Sequence, residues 1–159
     1  MEARVAEICA RFGAVPPAAP PAAPAAPGGF TAALRQAMAT GPVAGPGSVE
    51  SWISEAIQRS GAPESWAPGL RAIAQHESSF NPAAANTAAG GGNLAATPLG
   101  LMQMLPSTFA AHAQAGHTNI LDPVDNLTAA IGYIKDRYGD PAATPGLRAL
   151  ARGDRYVGY

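Results

Sequence analysis

Residues 14–29 hold seven Ala, six Pro, two Gly and one Val, and this run governs how the rest of the chain can be organised. Proline fixes φ and removes a backbone donor, so a stretch this rich in it neither continues a helix nor completes a sheet. It reads as a semi-rigid, polyproline-like spacer with nothing to bury. The pieces beside it are small. Val5, Ile8, Cys9 and Phe12 fall at helical spacing before it, and Phe30, Leu34, Ala37 and Met38 repeat the pattern after it. Helices that short are marginal alone in water. A second spacer, Gly41 to Gly47, follows. Residues 1–45 therefore read as a helical tether, and a compact fold is expected over residues 46–159.

From Ser48 onward the signals are helical. Ser48 is placed to cap a helix with the apolar stripe Val49, Ile53, Ala56 and Ile57, ending near Gly61. A second helix is expected from about Glu64 to Ser78. Residues 81–98 are rich in Ala, Asn, Gly and Thr and read as a long loop or a small hairpin. Pro106 opens a third helix through Phe109 and His112. Asp122 and Pro123 are N-cap and first residue of a fourth, which runs to Tyr138 and stops at Gly139. No segment alternates as a strand does. The fold class is mainly α, a helical domain with one irregular loop.

Composition narrows the partners. Of 159 residues, 47% are apolar but only 6% aromatic, so the core is built from few large side chains. Charged residues are 13% and the net charge is −1, which leaves no basic stripe for nucleic acid and no polybasic segment for an acidic membrane. An uncharged or zwitterionic polymer suits the chain better. No run approaches the ~18 apolar residues of a membrane span, and the charged start (Glu2, Arg4, Glu7, Arg11) does not resemble a secretory signal. Cys9 is the only cysteine, so neither an intrachain disulfide nor a cysteine-based zinc site is expected. His76, His112 and His117 show no ligand spacing on one helical face and read as surface residues, with no metal or other cofactor called for.

The second helix carries the sharpest local feature. Trp66, Leu70, Ile73 and Glu77 fall on one narrow stripe, while Arg71, Gln75 and Ser78 lie away from it. Glu77 is thus the one ionisable group on the face that should be buried. Burial disfavours a carboxylate and raises its pKa, as a general acid requires. A buried Glu paired with Arg, or one that has reached the helix end, fits the same spacing.

The sequence around it widens the reading. His76-Glu77-Ser78-Ser79-Phe80-Asn81-Pro82 resembles the first motif of soluble lytic transglycosylases. Gly100-Leu101-Met102-Gln103, continued by Met104-Leu105-Pro106, is similar to their second, and Asp122-Pro123-x-x-Asn126-Leu127 with Tyr133-Ile134 to their third. The resemblance covers roughly residues 49–139. The abbreviated form resembles domains embedded in phage tail tape-measure proteins and those of actinobacterial cell-wall and flagellum-associated proteins. The late Ala-Tyr-Asn-like motif of many members is absent: residues 139–159 offer only Asp140, Pro141 and Tyr156-Val157-Gly158-Tyr159. The loop 83–98 is also unusually long.

The resemblance implies a lysozyme-like fold, a peptidoglycan substrate and a site outside the cytoplasm. Glu77 would be the catalytic acid and base, with Ser78, Gly100, Met102, Gln103, Asn126 and Tyr133 binding substrate. Gly100 would let backbone approach a ligand, and Gln103 offers a neutral donor and acceptor for sugar groups. For Met102 core packing stands beside cleft lining, for Asn126 a bond to backbone near the helix start, and for Tyr133 an ordinary surface ring. Asp122 and Asp125 are both placed for helix capping, so no second catalytic acid is evident. Family members cut between N-acetylmuramic acid and N-acetylglucosamine and leave 1,6-anhydro ends. A goose-type-lysozyme-like hydrolase on the same fold, and a non-catalytic glycan-binding module, are the alternatives. The tether suits docking onto a larger cell-wall, flagellar or phage-tail assembly.

Overall fold

The computed structural model describes residues 47–159. The tether expected over 1–45, with its two short helices and Ala/Pro run, lies outside the described residues. Helix α1 is Val49–Ser60; Ser48 accepts a hydrogen bond from the Ser51 N–H, and Gly61 closes the helix in the left-handed region at φ 66°. A 3₁₀ turn, Glu64–Trp66, leads into α2, Ala67–Ser78. Helix α4, Pro106–His112, and α5, Pro123–Tyr138, each have proline in the first turn, and Asp122 caps α5 by accepting from the Val124 and Asp125 N–H groups.

Helix α5 is the centre of the domain. From Pro123 to Ile131 it is buried on every side, the pattern of a helix enclosed by others. Helix α1 packs along it, α2 packs on α1, and α4 on a further face of α5. Trp66 of the 3₁₀ turn and Leu70 and Ile73 of α2 meet Ile53 and Ile57 of α1 and Leu127, Ile131 and Ile134 of α5 in one core.

The irregular region has more structure than its composition announces. It holds a short helix α3, Thr87–Gly90, and a 3₁₀ turn, Leu94–Ala96, whose free ends are capped by Asn86 and Asn93. No strand forms among the described residues; instead of a hairpin there are two isolated antiparallel bridges, Ala85 with Leu99 and Leu99 with Met104. The loop is held at its base, where the Gly100 N–H donates to the Ala84 carbonyl at 2.8 Å. After α5 come a 3₁₀ turn, Pro141–Ala143, and helix α6, Pro145–Ala151, which packs against α2. Residues 152–159 follow as a tail without regular structure.

Candidate active site

Glu77 sits in the last turn of α2. The chain turns sharply behind it, because Ser79 and Phe80 both take left-handed backbone, at φ 52° and 66°. The side chain is half-buried, and burial raises its pKa above the ordinary glutamate value. A hydrogen bond from Tyr156 and the charge of His76 act in the opposite direction. The Tyr156 hydroxyl donates to Oε1 at 2.7 Å.

Glu77 opens on a cleft of about 230 Å³, whose walls include Gln103, Leu105, Tyr133 and Tyr159. Glu77 is the only acidic side chain among the described residues that line it. Tyr133 faces in from α5, its ring edge-on to those of Tyr159, Tyr138 and His112. Burial, and then Tyr138 beside it, push its pKa up. Gln103 reaches the cleft from the turn after Gly100, at φ 46°. Its Nε2 donates to the Gly100 and Ala84 carbonyls at 2.9 and 3.1 Å. Both partners are acceptors, which fixes the amide orientation and leaves Oε1 as the atom available to a ligand.

The other residues expected to touch substrate lie behind the cleft. Met102 is 0% exposed and belongs to the core, the first of its two readings. Asn126 is likewise 0% exposed. Its Oδ1 accepts from the Met102 N–H at 2.7 Å, and its Nδ2 donates to the Ile120 and Leu99 carbonyls at 2.9 and 3.3 Å. Ile120 lies just before the helix start, Met102 and Leu99 are distant in sequence, and what Asn126 holds is the turn that presents Gln103. Gly100 explains itself the same way. At φ 80° its missing Cβ leaves room for the Asn126 amide and the Ile120 carbonyl, not for a ligand. The Ser78 hydroxyl donates to the Ala74 carbonyl one turn back, at 3.1 Å, and Ser78 does not line the cleft. Motifs that read as converging on a ligand divide into two wall residues and a buried support.

Sequence reasoning missed the tail. Besides Tyr156, it brings Tyr159, whose hydroxyl donates to the Met102 carbonyl at 2.8 Å. Burial, and then the charge of Glu77, raise the Tyr159 pKa well above its usual value. With the Ala-Tyr-Asn-like motif absent, aromatic rings reach Glu77 and its cleft from the last residues. Gly146 of α6 makes room for them: a Cβ there would run into the Tyr156 ring and the Gly158 carbonyl. The Thr144-Pro145 pair, a cap-and-N1 signature, could have disclosed α6, but nothing in the tail's own pattern says where it goes.

Two further expectations need correction. Asp122 caps α5, but Asp125 does not. It is 8% exposed and accepts from Arg59 at 3.1 Å, with the His117 ring at 3.0 Å and the Asn119 N–H at 3.2 Å. Burial raises its pKa, and the bonds from Asn119 and His117 oppose that. This cluster opens on a separate pocket that shares no residue with the Glu77 cleft. His112 and His117 are partly rather than fully exposed, and each lies beside an aspartate, Asp136 and Asp125. Among the described residues, no group of three or more His, Cys, Asp or Glu side chains is disposed to hold a metal ion. No helix there is long and apolar enough to cross a membrane.

A family model described as "Transglycosylase SLT domain" matches residues 51–151. The chain belongs to that family. The match takes in Glu77, the turn around Gln103 and all of α5, and stops before the tail, so Tyr156 and Tyr159 lie beyond it. The chain is also 49% identical over 113 residues to an uncharacterised protein, YqbO, of Bacillus subtilis (strain 168). That alignment covers 71% of this chain and 7% of the relative, so the chain spans a small part of that protein's length. No solved structure matches.

Proposed function

We propose that this SLT domain is a peptidoglycan lytic transglycosylase. It cuts the β-1,4 bond between N-acetylmuramic acid and N-acetylglucosamine and leaves a 1,6-anhydro muramyl end. The observation that carries this is Glu77, a half-buried carboxyl with a raised pKa that has no second acid beside it in its cleft. Enzymes that hydrolyse glycosides usually set two carboxyl groups across the scissile bond, and inverting ones hold them ~6.5–9.5 Å apart around a water. Asp125 is turned into another pocket and engaged by Arg59 and His117, and Asp122 is engaged by backbone N–H groups.

One carboxyl suffices if the nucleophile belongs to the substrate. Protonated Glu77 gives its proton to the bridging oxygen as the glycosidic bond breaks, and the sugar leaves as its free 4-hydroxyl. The muramyl acetamido oxygen stabilises the cation at C1. Glu77, now a carboxylate, takes the proton of the muramyl 6-hydroxyl as that oxygen closes on C1, which restores the acid. The 6-hydroxyl is tethered to the reacting carbon, an advantage in effective concentration over a captured water. Gln103 and Tyr133, which line the cleft, would contact sugar through Oε1 and the ring. Such a polymer lies outside the cytoplasm, which is where the domain would work. Residues 1–45 would dock it onto a larger cell-wall, flagellar or phage-tail assembly.

Digestion of purified peptidoglycan in heavy-oxygen water tests the reading by mass spectrometry. The expected products end in anhydromuramic acid, lighter by one water than a lysozyme's, and carry no label. Label at the new muramyl end would establish a goose-type-lysozyme-like hydrolysis instead, and intact glycan a binding module.

A further inference from the structure

The Tyr156 hydroxyl arrives at Glu77 from a tail with no helix or strand of its own, so something must fix its ring. Gly146 lies along the Cδ2–Cε2 side of that ring. The face is covered by His76, whose imidazole stacks on it with centroids 4.6 Å apart and planes 11° from parallel. His76 precedes Glu77 on α2 and is exposed, so core packing does not account for its place. The neighbours of Tyr156 in the tail, Arg155 and Val157, are exposed too. We propose that His76 is a positioning residue: its ring holds Tyr156 in the orientation that keeps the tyrosine hydroxyl on the Glu77 carboxyl. This rests on the reading of Glu77 as the catalytic group.

The arrangement joins two influences on one proton. The Tyr156 hydrogen bond favours the Glu77 carboxylate, and so does a positive charge on His76. Tyr159 in the tail and Tyr133 on α5 are the other titratable groups at this cleft, and burial keeps both neutral. Tyr156 itself is held neutral by burial and by Glu77, so it remains a donor across the working range. A flat ring on Tyr156 and a charge near Glu77 are separable properties of His76, and substitution tells them apart.

Initial rates on purified peptidoglycan, measured with the full chain as a function of pH, test this. His76→Ala should lower kcat by roughly tenfold, the worth of one hydrogen bond to a charged group, with KM little changed. The alkaline limb of kcat/KM, which reports the pKa of the free acid, should move to higher pH, because the carboxylate has lost its donor. His76→Phe keeps a flat ring and should recover most of the rate. In a Tyr156→Phe background, which lacks the hydroxyl, His76→Ala should cost under about twofold more, since the two residues act as one unit.

If His76→Ala costs as much in that background as alone, or if Phe at position 76 fails to restore the rate, His76 does not act through Tyr156 and the proposal falls. An unmoved alkaline limb has the same meaning. Glu77→Gln is run alongside. Full activity in that variant would instead remove the assignment of Glu77, on which the role of His76 depends.

Discussion

Replacing Asn126 by Asp takes one hydrogen-bond donor from the middle of the domain and changes almost nothing in size. The Oδ1 position can still accept from the Met102 N–H. The other side of the group faces the Ile120 and Leu99 carbonyl oxygens, which now meet a carboxylate oxygen where an amide donated. The Leu99 carbonyl keeps a bond from the Met104 N–H at 2.9 Å, so the Ile120 carbonyl is the acceptor left stranded, at a cost of about 1–3 kcal/mol. The new charge is costlier still. It has no cation beside it, and the group responds by staying protonated. If the folded pKa rises by about 3 units, ionisation costs the fold about 4 kcal/mol at neutral pH. The sign follows directly. A carboxyl whose pKa is raised on folding is harmless below its unfolded pKa, and its cost appears as pH rises through that value. The neutral acid at low pH can also donate to the Ile120 carbonyl. Urea unfolding followed by circular dichroism at about pH 4 and about pH 7 should therefore show a loss near 1 kcal/mol at the first and about 4 kcal/mol at the second, relative to wild type. Asn126→Ala strands the Met102 N–H as well as the Ile120 carbonyl, and should lose roughly 4 kcal/mol at both. A loss for Asn126→Asp that is equal at the two pH values, or below about 0.5 kcal/mol at neutral pH, would refute the claim that the amide donates to buried carbonyls.

Glu77→Gln should fold and lose at least ~100-fold in the rate of glycan release. Since burial raises the pKa of Glu77, its ionisation costs stability as pH rises above the ordinary glutamate range, and near neutrality the Gln variant should melt no lower than wild type in a thermal scan. Gly100→Ala forces a methyl group onto the Asn126 amide and the Ile120 carbonyl from left-handed backbone; urea titration should show a loss of about 2 kcal/mol or more. A chain beginning at Gly47 should keep both the melting temperature and the activity on soluble glycan. Unfolding, or loss of that activity, would make residues 1–45 part of the catalytic unit rather than a tether.

Much of the helical frame could be read locally because its signals are local. Ser48 and Gly61 bracket α1, and Asp122 and Gly139 bracket α5, each acting within a turn of its own helix. The position of Glu77 followed from the stripe Trp66, Leu70, Ile73, since a periodicity names the buried face without naming what covers it. The second and third motifs were legible as motifs but not as roles. Spacing cannot separate a residue that touches a ligand from one that supports the backbone beside it: Asn126 is such a support, Gly100 makes room for it and Met102 is core. Asp125 shows the reverse ambiguity: three residues after a cap, an acid suits the helix end, yet here it turns to Arg59 and His117, which are brought in by other parts of the chain. The tail was unreadable because its partners are far away in sequence and its two tyrosines follow no period.

The bond between Tyr156 and Glu77 closes a loop of 79 residues, and this has a temporal side. A ribosome adds roughly 5–20 residues per second, so about 4 to 16 s separate the appearance of the acid from that of the group that steadies it. Until then Glu77 lacks its hydroxyl donor. The carboxyl thus gains its tyrosine donor late, after helices α1 to α5 have had time to find one another.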